Sequence, residues 1–249
     1  MLTKLKSGAE GAGRAVLFMP THAGNFFPYL RIVSKIEGAD VYGVENLYGD
    51  DTIAGQGRAL AGALGERFCR STEITCVGWS FGGAIAHEVA AALVSSAYIG
   101  AEAVLIDAPV AGPANLAEPF LAIDDRFCEF FVDKPGFEMR AYPSLRALKD
   151  ALAAVDSRIS EEMIDGLYLR YALNQARWLR HTPSPSSARV LQLRARASTW
   201  GDVNFAAWKD AAARYAVTPI PGDHYSVVGD AGAAEIAAIL SGEEVKAAV

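Results

Sequence analysis

Cysteine, histidine and clustered positive charge are all scarce in this sequence, and each scarcity removes a class of function. Only three cysteines occur among 249 residues, Cys69, Cys76 and Cys128. Thiols so few and so far apart make neither a disulfide framework nor a zinc site, so no metal is expected and a reducing cytoplasm is the natural compartment. Basic residues number 23 against 29 acidic ones, a formal charge of −6 with no basic stripe. Nucleic acid is therefore not expected as a partner, since phosphate neutralisation needs clustered Lys and Arg. No apolar run approaches the roughly 18 residues of a membrane span, so no membrane association is expected either. The opening MLTKLKSGAEGAGRAVLF interleaves charge and glycine where an export signal would be unbroken and apolar. What the chain does have is a hydrophobic fraction of 51%, too high for intrinsic disorder and enough for one large domain with a substantial core.

Residues 1–13, rich in glycine and alanine with scattered charge, read as a flexible tail or linker, leaving 14–249 as the folded domain. The run Ala15–Met19 reads as a buried strand ending at Pro20 and a turn-forming loop, Thr21–Asn25. Helical spacing follows in Tyr29, Leu30, Val33 and Ile36, then a strand at Asp40–Val44. Thr52 is placed to cap a helix running to about Phe68. A strand at Glu73–Gly78, a helix from about Phe81 to Ser95 and a strand at Ala103–Ile106 continue the series. This alternation with short connections predicts an α/β fold with a mostly parallel central sheet flanked by helices. From about 110 to 187 the alternation stops, and helical stretches at Leu145–Val155 and Ser160–Leu179 predict a helical insertion. Strands return at Arg189–Arg194 and Tyr215–Ile220, before a last helix near Ala231–Leu240.

The segment Gly78-Trp79-Ser80-Phe81-Gly82 carries the chemistry. Gly-x-Ser-x-Gly alone is a weak signal, but here it joins a strand to a periodic helix. There a sharp turn projects the serine, and small residues at 78 and 82 let the two elements approach. A serine hydroxyl needs a base, and there are only four histidines. His87 lies two turns into the helix after Ser80 and is carried away from it; His181 leaves the insertion; His22 shapes the loop after the first strand. His224 follows a late strand through Pro221-Gly222-Asp223 and is the expected base. Two aspartates fit as the orienting acid: Asp107 ends the strand beside the nucleophile and is preferred, while Asp202, in the loop after the strand at 189–194, is the alternative. For the oxyanion, the backbone N–H of Phe81 and that of Ala23 are the expected donors.

These residues resemble the α/β-hydrolase thioesterase domains of nonribosomal peptide and polyketide synthases. The resemblance rests on Phe18-Met-Pro-Thr-His-Ala-Gly-Asn25 with Tyr29, on Gly78-Trp-Ser-Phe-Gly-Gly83 running into AIAHEVA, on LIDAP at 105–109, and on Pro221-Gly-Asp-His-Tyr225. It implies an α/β-hydrolase fold with a lid over about 110–187, a triad of Ser80, Asp107 and His224, and oxyanion donors at Ala23 and Phe81. It implies no cofactor of the enzyme's own, the acyl or peptidyl chain arriving on the phosphopantetheine arm of a carrier protein. Release is then by hydrolysis or cyclisation. An Asp202 acid would instead fit the stand-alone editing (type II) enzymes, and a small-substrate esterase or acyltransferase is the other alternative. Asn25 departs from the family's usual glycine, which predicts a stiffer loop or an amide offered to substrate. Phe120, Phe127, Phe130, Phe131 and Tyr168 are candidates to line an acyl channel. Arg170, Arg177 and Arg180, on one helix face, are candidates to meet an acidic carrier protein or the pantetheine phosphate.

Overall fold

Successive residues of the central strands point to opposite faces of a sheet, and both faces of this one are covered. The computed structural model describes residues 2–8, 13–45, 51–98, 100–110, 127, 144–155 and 160–243. Its strands are β1 (Leu2–Lys6), β2 (Arg14–Phe18), β3 (Asp40–Val44), β4 (Glu73–Trp79), β5 (Ala101–Ile106), β6 (Ser186–Ala195) and β7 (Ala212–Ile220). Its α-helices are α1 (Leu30–Val33), α2 (Ile53–Gly65), α3 (Phe81–Ser95), α4 (Leu145–Val155), α5 (Glu161–Leu179), α6 (Val203–Ala211) and α7 (Ala233–Ser241). The seven strands form one sheet in the order β1-β3-β2-β4-β5-β6-β7, with β1 antiparallel to β3 and every other pair parallel.

Leu17, Cys76 and Leu105 face a core shared with α2 and α3, whereas Phe18, Val77 and Ile106 face a second core shared with α1 and α7. Strands buried on both faces are continuous apolar runs, which is why they were legible. Strand order reverses between β2 and β4, because β3 lies to one side and the rest of the chain to the other. In open parallel sheets the crevice at such a reversal, beyond the carboxyl ends of the strands, is where ligands bind.

One boundary is corrected. Residues 2–6, expected in a flexible tail, are the edge strand β1, with Leu2↔Val44 and Lys6↔Val41 in register around a bulge. Leu2 packs against one core and Leu5 against the other. Lys4 pairs with Asp40 at 3.0 Å, and Lys6 Nζ donates to the carbonyls of Ser34 and Ile36. Lysines that serve an edge strand in this way read, in sequence, as solvated charge.

The chain leaves the sheet after β5 and re-enters at β6, so the expected insertion lies between two neighbouring parallel strands. Its described part, α4, α5 and Phe127, has a small core of its own: Phe127, Leu148, Leu152, Ile164 and Tyr171. Among the described residues no helix is long and apolar enough to cross a membrane.

Candidate active site

β4 ends in a turn that an L-residue enters only under strain. Ser80 has φ 54° and ψ −123°; holding a non-glycine residue there costs on the order of 1–3 kcal/mol. The surroundings fix it: the Ser80 N–H donates to the Ile106 carbonyl at 3.1 Å, and the Gly83 N–H donates to the Ser80 carbonyl at 3.0 Å. A Cβ on Gly78 would lie 2.0 Å from the Gly82 carbonyl oxygen, and one on Gly83 2.3 Å from Ala108 Cβ. β4 and α3 cross this closely because Gly78 lacks a side chain, and α3 lies against the segment after β5 because Gly83 does. Beneath the turn the fully buried Tyr29 hydroxyl accepts the Trp79 N–H at 2.8 Å. Burial pushes that phenol well above its ordinary range, so it stays neutral.

His224 reaches the serine from the loop after β7. Its Nε2 is 3.1 Å from Ser80 Oγ, and its Nδ1 is 2.8 Å from Asp107 Oδ2. The turn that presents it is tied by Asp223, whose carboxylate accepts the N–H groups of Ser226 (2.8 Å) and Tyr225 (3.0 Å). Those donors, Ser226 first, hold its carboxyl below the usual range. The Trp79 indole donates to the His224 carbonyl at 2.7 Å, and the rings of Trp79 and Trp200 flank the imidazole at 5.3 and 6.0 Å.

Asp107, at φ 39°, is completely buried where β5 ends. Besides His224 it accepts the Ala195 N–H at 3.1 Å and the Ser198 hydroxyl at 3.0 Å. With Nδ1–H given to Asp107, Nε2 is left to accept the Ser80 hydroxyl proton. Asp202 is elsewhere: its side chain is 91% exposed and pairs with Arg194. The geometry therefore brings Asp107, and not Asp202, to His224.

The loop after β2 closes on itself, the Gly24 N–H donating to Thr21 (2.8 Å) and the Thr21 N–H to Asn25 (2.9 Å). Asn25 Oδ1 accepts the Phe27 N–H at 3.2 Å, which ties the loop to the following 3-10 turn, Phe27–Tyr29. Ala23 is buried in this loop, and Phe81 begins α3. His22 does more than shape it: its ring packs on Phe81, Tyr171 and Trp178, with centroids 4.5, 5.1 and 5.6 Å away.

A cavity of about 80 Å³ opens beside Ser80 and His224, lined also by Thr21, Gln175, Trp178 and Trp200. Three positions of α5 thus face the site, Tyr171, Gln175 and Trp178, at helical offsets of four and three. Sequence reasoning missed this face, although that spacing was its signal; the arginines of the same helix drew attention instead. Of those, Arg177 bonds Asn174 Oδ1 (3.1 Å) and lies 3.7 Å from Asp51, so it braces the helix. Arg180 Nε bonds the Ala176 carbonyl at 3.1 Å. Phe127 is fully buried against Tyr168 and Tyr171 in the insertion's own core; Phe120, Phe130 and Phe131 lie outside the described residues. His87 and His181 are not among the residues that line this cavity. The His87 Nε2–H donates to the Ser184 carbonyl at 2.8 Å, and His181 lies 3.4 Å from Glu88.

The fold is shared with proteins of known structure. A four-domain nonribosomal peptide synthetase bound to AMP and glycine superposes with a TM-score of 0.76 at 15% identity. That match covers 97% of this chain and 20% of that one, so the chain spans about a fifth of the synthetase. The Vlm2 thioesterase domain gives 0.64 at 19% identity, covering 96% of each chain. The NocB thioesterase domain, in a covalent complex with a fluorophosphonate nocardicin G analogue, gives 0.66 at 17% identity, covering 95% of this chain and 96% of that one. No curated protein sequence matches the chain significantly. The model of the alpha/beta hydrolase family matches residues 21–247, nearly the whole chain. With its mostly parallel sheet and its serine on the turn after β4, the chain belongs to the alpha/beta hydrolase family.

Proposed function

We propose that this protein is a serine thioesterase that releases an acyl or peptidyl chain from the phosphopantetheine arm of a carrier protein, as in nonribosomal peptide or polyketide assembly. The observation that carries the reading is the unbroken hydrogen-bonded series from Ser80 through His224 to buried Asp107, at 3.1 and 2.8 Å. The fold shared with the Vlm2 and NocB thioesterase domains supports the choice of thioester over other acyl substrates.

In this reading Ser80 Oγ attacks the thioester carbonyl carbon while His224 Nε2 takes the hydroxyl proton. Asp107 is the positioning residue that holds the imidazole and favours the imidazolium. Negative charge on the carbonyl oxygen is met by the Phe81 N–H, left without an intrahelical acceptor at the first turn of α3, and by the Ala23 N–H. The C–S bond then breaks and His224 returns its proton to the pantetheine sulfur, leaving the chain esterified to Ser80. Water, or a hydroxyl or amine of the chain itself, attacks this ester in the second half, again giving its proton to His224, which passes it to Ser80 Oγ.

The test is labelling and turnover together. A fluorophosphonate should label the protein and fail to label Ser80→Ala, and that variant should lose on the order of 10⁶ in thioester turnover. Carrier-bound thioester should be processed faster than a simple ester of the same acid; the reverse order would make the protein an esterase.

A further inference from the structure

Asp107 is a carboxylate cut off completely from water, and a charge in that position is tolerable only when its oxygens are hydrogen-bonded. Its three partners differ in kind. The Ala195 N–H on Oδ1 is backbone that almost any residue would supply, and His224 Nδ1 on Oδ2 belongs to the reaction itself. The third is the Ser198 hydroxyl, 3.0 Å from the same Oδ2 that faces the imidazole. This is a side-chain contribution from the loop after β6, 91 residues along the chain from Asp107, and the reaction as described gives it no part.

The direction of that bond is fixed by chemistry. An ionised carboxylate only accepts, so the hydroxyl proton points at Oδ2. Ser198 Oγ in turn accepts the Trp200 N–H at 3.4 Å, and the Ser198 N–H donates to the Ala195 carbonyl at 3.1 Å. The Arg196 and Ala197 N–H groups donate to the carbonyls of Ile220 (2.9 Å) and Gly222 (3.0 Å), so this loop is tied to the turn that presents His224. A carboxylate bonded through one oxygen is free to swing about its Cβ–Cγ bond; donors on both oxygens stop it. Ala195 on one side and Ser198 on the other therefore fix the plane of the group, with Oδ2 aimed at Nδ1. When Ser80 gives up its proton, the imidazolium needs that oxygen to remain negative, and a hydroxyl dipole directed at it favours the charge.

We infer that Ser198 is a positioning residue for the reaction, its hydroxyl holding Oδ2 of Asp107 towards His224 and keeping the carboxylate charged while the imidazolium forms beside it. Ser198 acts on the chemistry through Asp107 alone. The inference rests on Ser80 being the nucleophile, and it holds whatever acyl group the enzyme takes.

The test reads the second-order rate at which a fluorophosphonate labels Ser80, together with kcat and KM on an N-acetylcysteamine thioester. Ser198→Ala should lower the labelling rate and kcat by about 10- to 100-fold, the worth of one hydrogen bond to a charged group, and leave KM unchanged. Ser198→Thr keeps a γ-hydroxyl and should recover most of the loss, whereas Ser198→Val, of the same shape without the hydroxyl, should not. Because the hydroxyl works through the carboxylate's charge, Ser198→Ala added to Asp107→Asn should slow labelling little beyond Asp107→Asn alone, the non-additivity of residues that act as a unit. A merely structural contribution would lower both backgrounds by the same factor. Wild-type rates in Ser198→Ala, threonine no better than valine, or equal factors in the two backgrounds would overturn the inference. Should Ser198→Ala fail to fold by circular dichroism, the comparison of threonine with valine decides in its place. Labelling without thioester turnover would overturn the thioesterase reading and leave the labelling rates to judge Ser198; no labelling of the wild type would overturn the nucleophile and this inference with it.

Discussion

Asp107 and Asp202 have the same side chain and opposite surroundings, and the difference predicts opposite mutants. Asp107 accepts from His224, Ala195 and Ser198 in full burial, whereas Asp202 sits in solvent against one arginine. Asp107→Asn should lower turnover by on the order of 10⁴, the cost of presenting histidine with the wrong partner. Asp202→Asn removes only an exposed ion pair, worth about 0–1 kcal/mol in stability, and should leave kcat unchanged. Steady-state kinetics on one thioester compare the two. Another residue with a measurable signature is His181, where burial, outweighing the attraction of Glu88, pulls the imidazole pKa down to about 4, with His87 adding to the shift. The folded state resists taking up a proton that the unfolded chain binds below about 6.5. Between those values the unfolded state holds more protons, so stability rises with pH and is lost as pH falls. Melting temperature should therefore drop from pH 7 to pH 5, and His181→Gln should flatten that slope.

At the scale of elements, the turn between β4 and α3 tolerates the least. Gly83→Ala places a methyl group 2.3 Å from Ala108 Cβ, an overpacking that costs about 1–3 kcal/mol. A fall in melting temperature of roughly 2–10 °C should follow. Elements with an uninterrupted period were legible from sequence. Asp40–Val44, the Thr52 cap, Phe81–Ser95 and Leu145–Val155 fall where the pattern put them, because apolar spacing or a capping side chain marks their ends. Two elements were not legible. β1 carries lysines at positions 4 and 6, and its structure depends on bonding across to β3, which no local pattern encodes. α6 buries only Phe205, Trp208 and Ala211 and runs straight into β7 through alanines 211–213, with no glycine or proline to mark the junction. Of the site, the serine, histidine and both aspartates could be read from their turns. The choice between the acids, and the inward face of α5, required three-dimensional proximity: Gln175 lies 95 residues from Ser80 in the chain and shares its cavity.

Across the whole molecule, the sheet positions everything else, and its two edges are managed differently. β7 carries Pro219, tolerated because only one side of that strand is paired. β3 is shielded by β1, so deleting residues 1–8 should uncover its backbone donors and acceptors. The shortened protein should melt lower and associate through that edge, as size-exclusion chromatography would register. Near the nucleophile the insertion meets the body through the Asn174 amide, which donates to the His22 carbonyl. That bond joins the helix that bounds the cavity to the loop that carries Ala23. A displacement of α5 would therefore pull on this loop as well. The two walls of the cavity are thus joined mechanically at that contact.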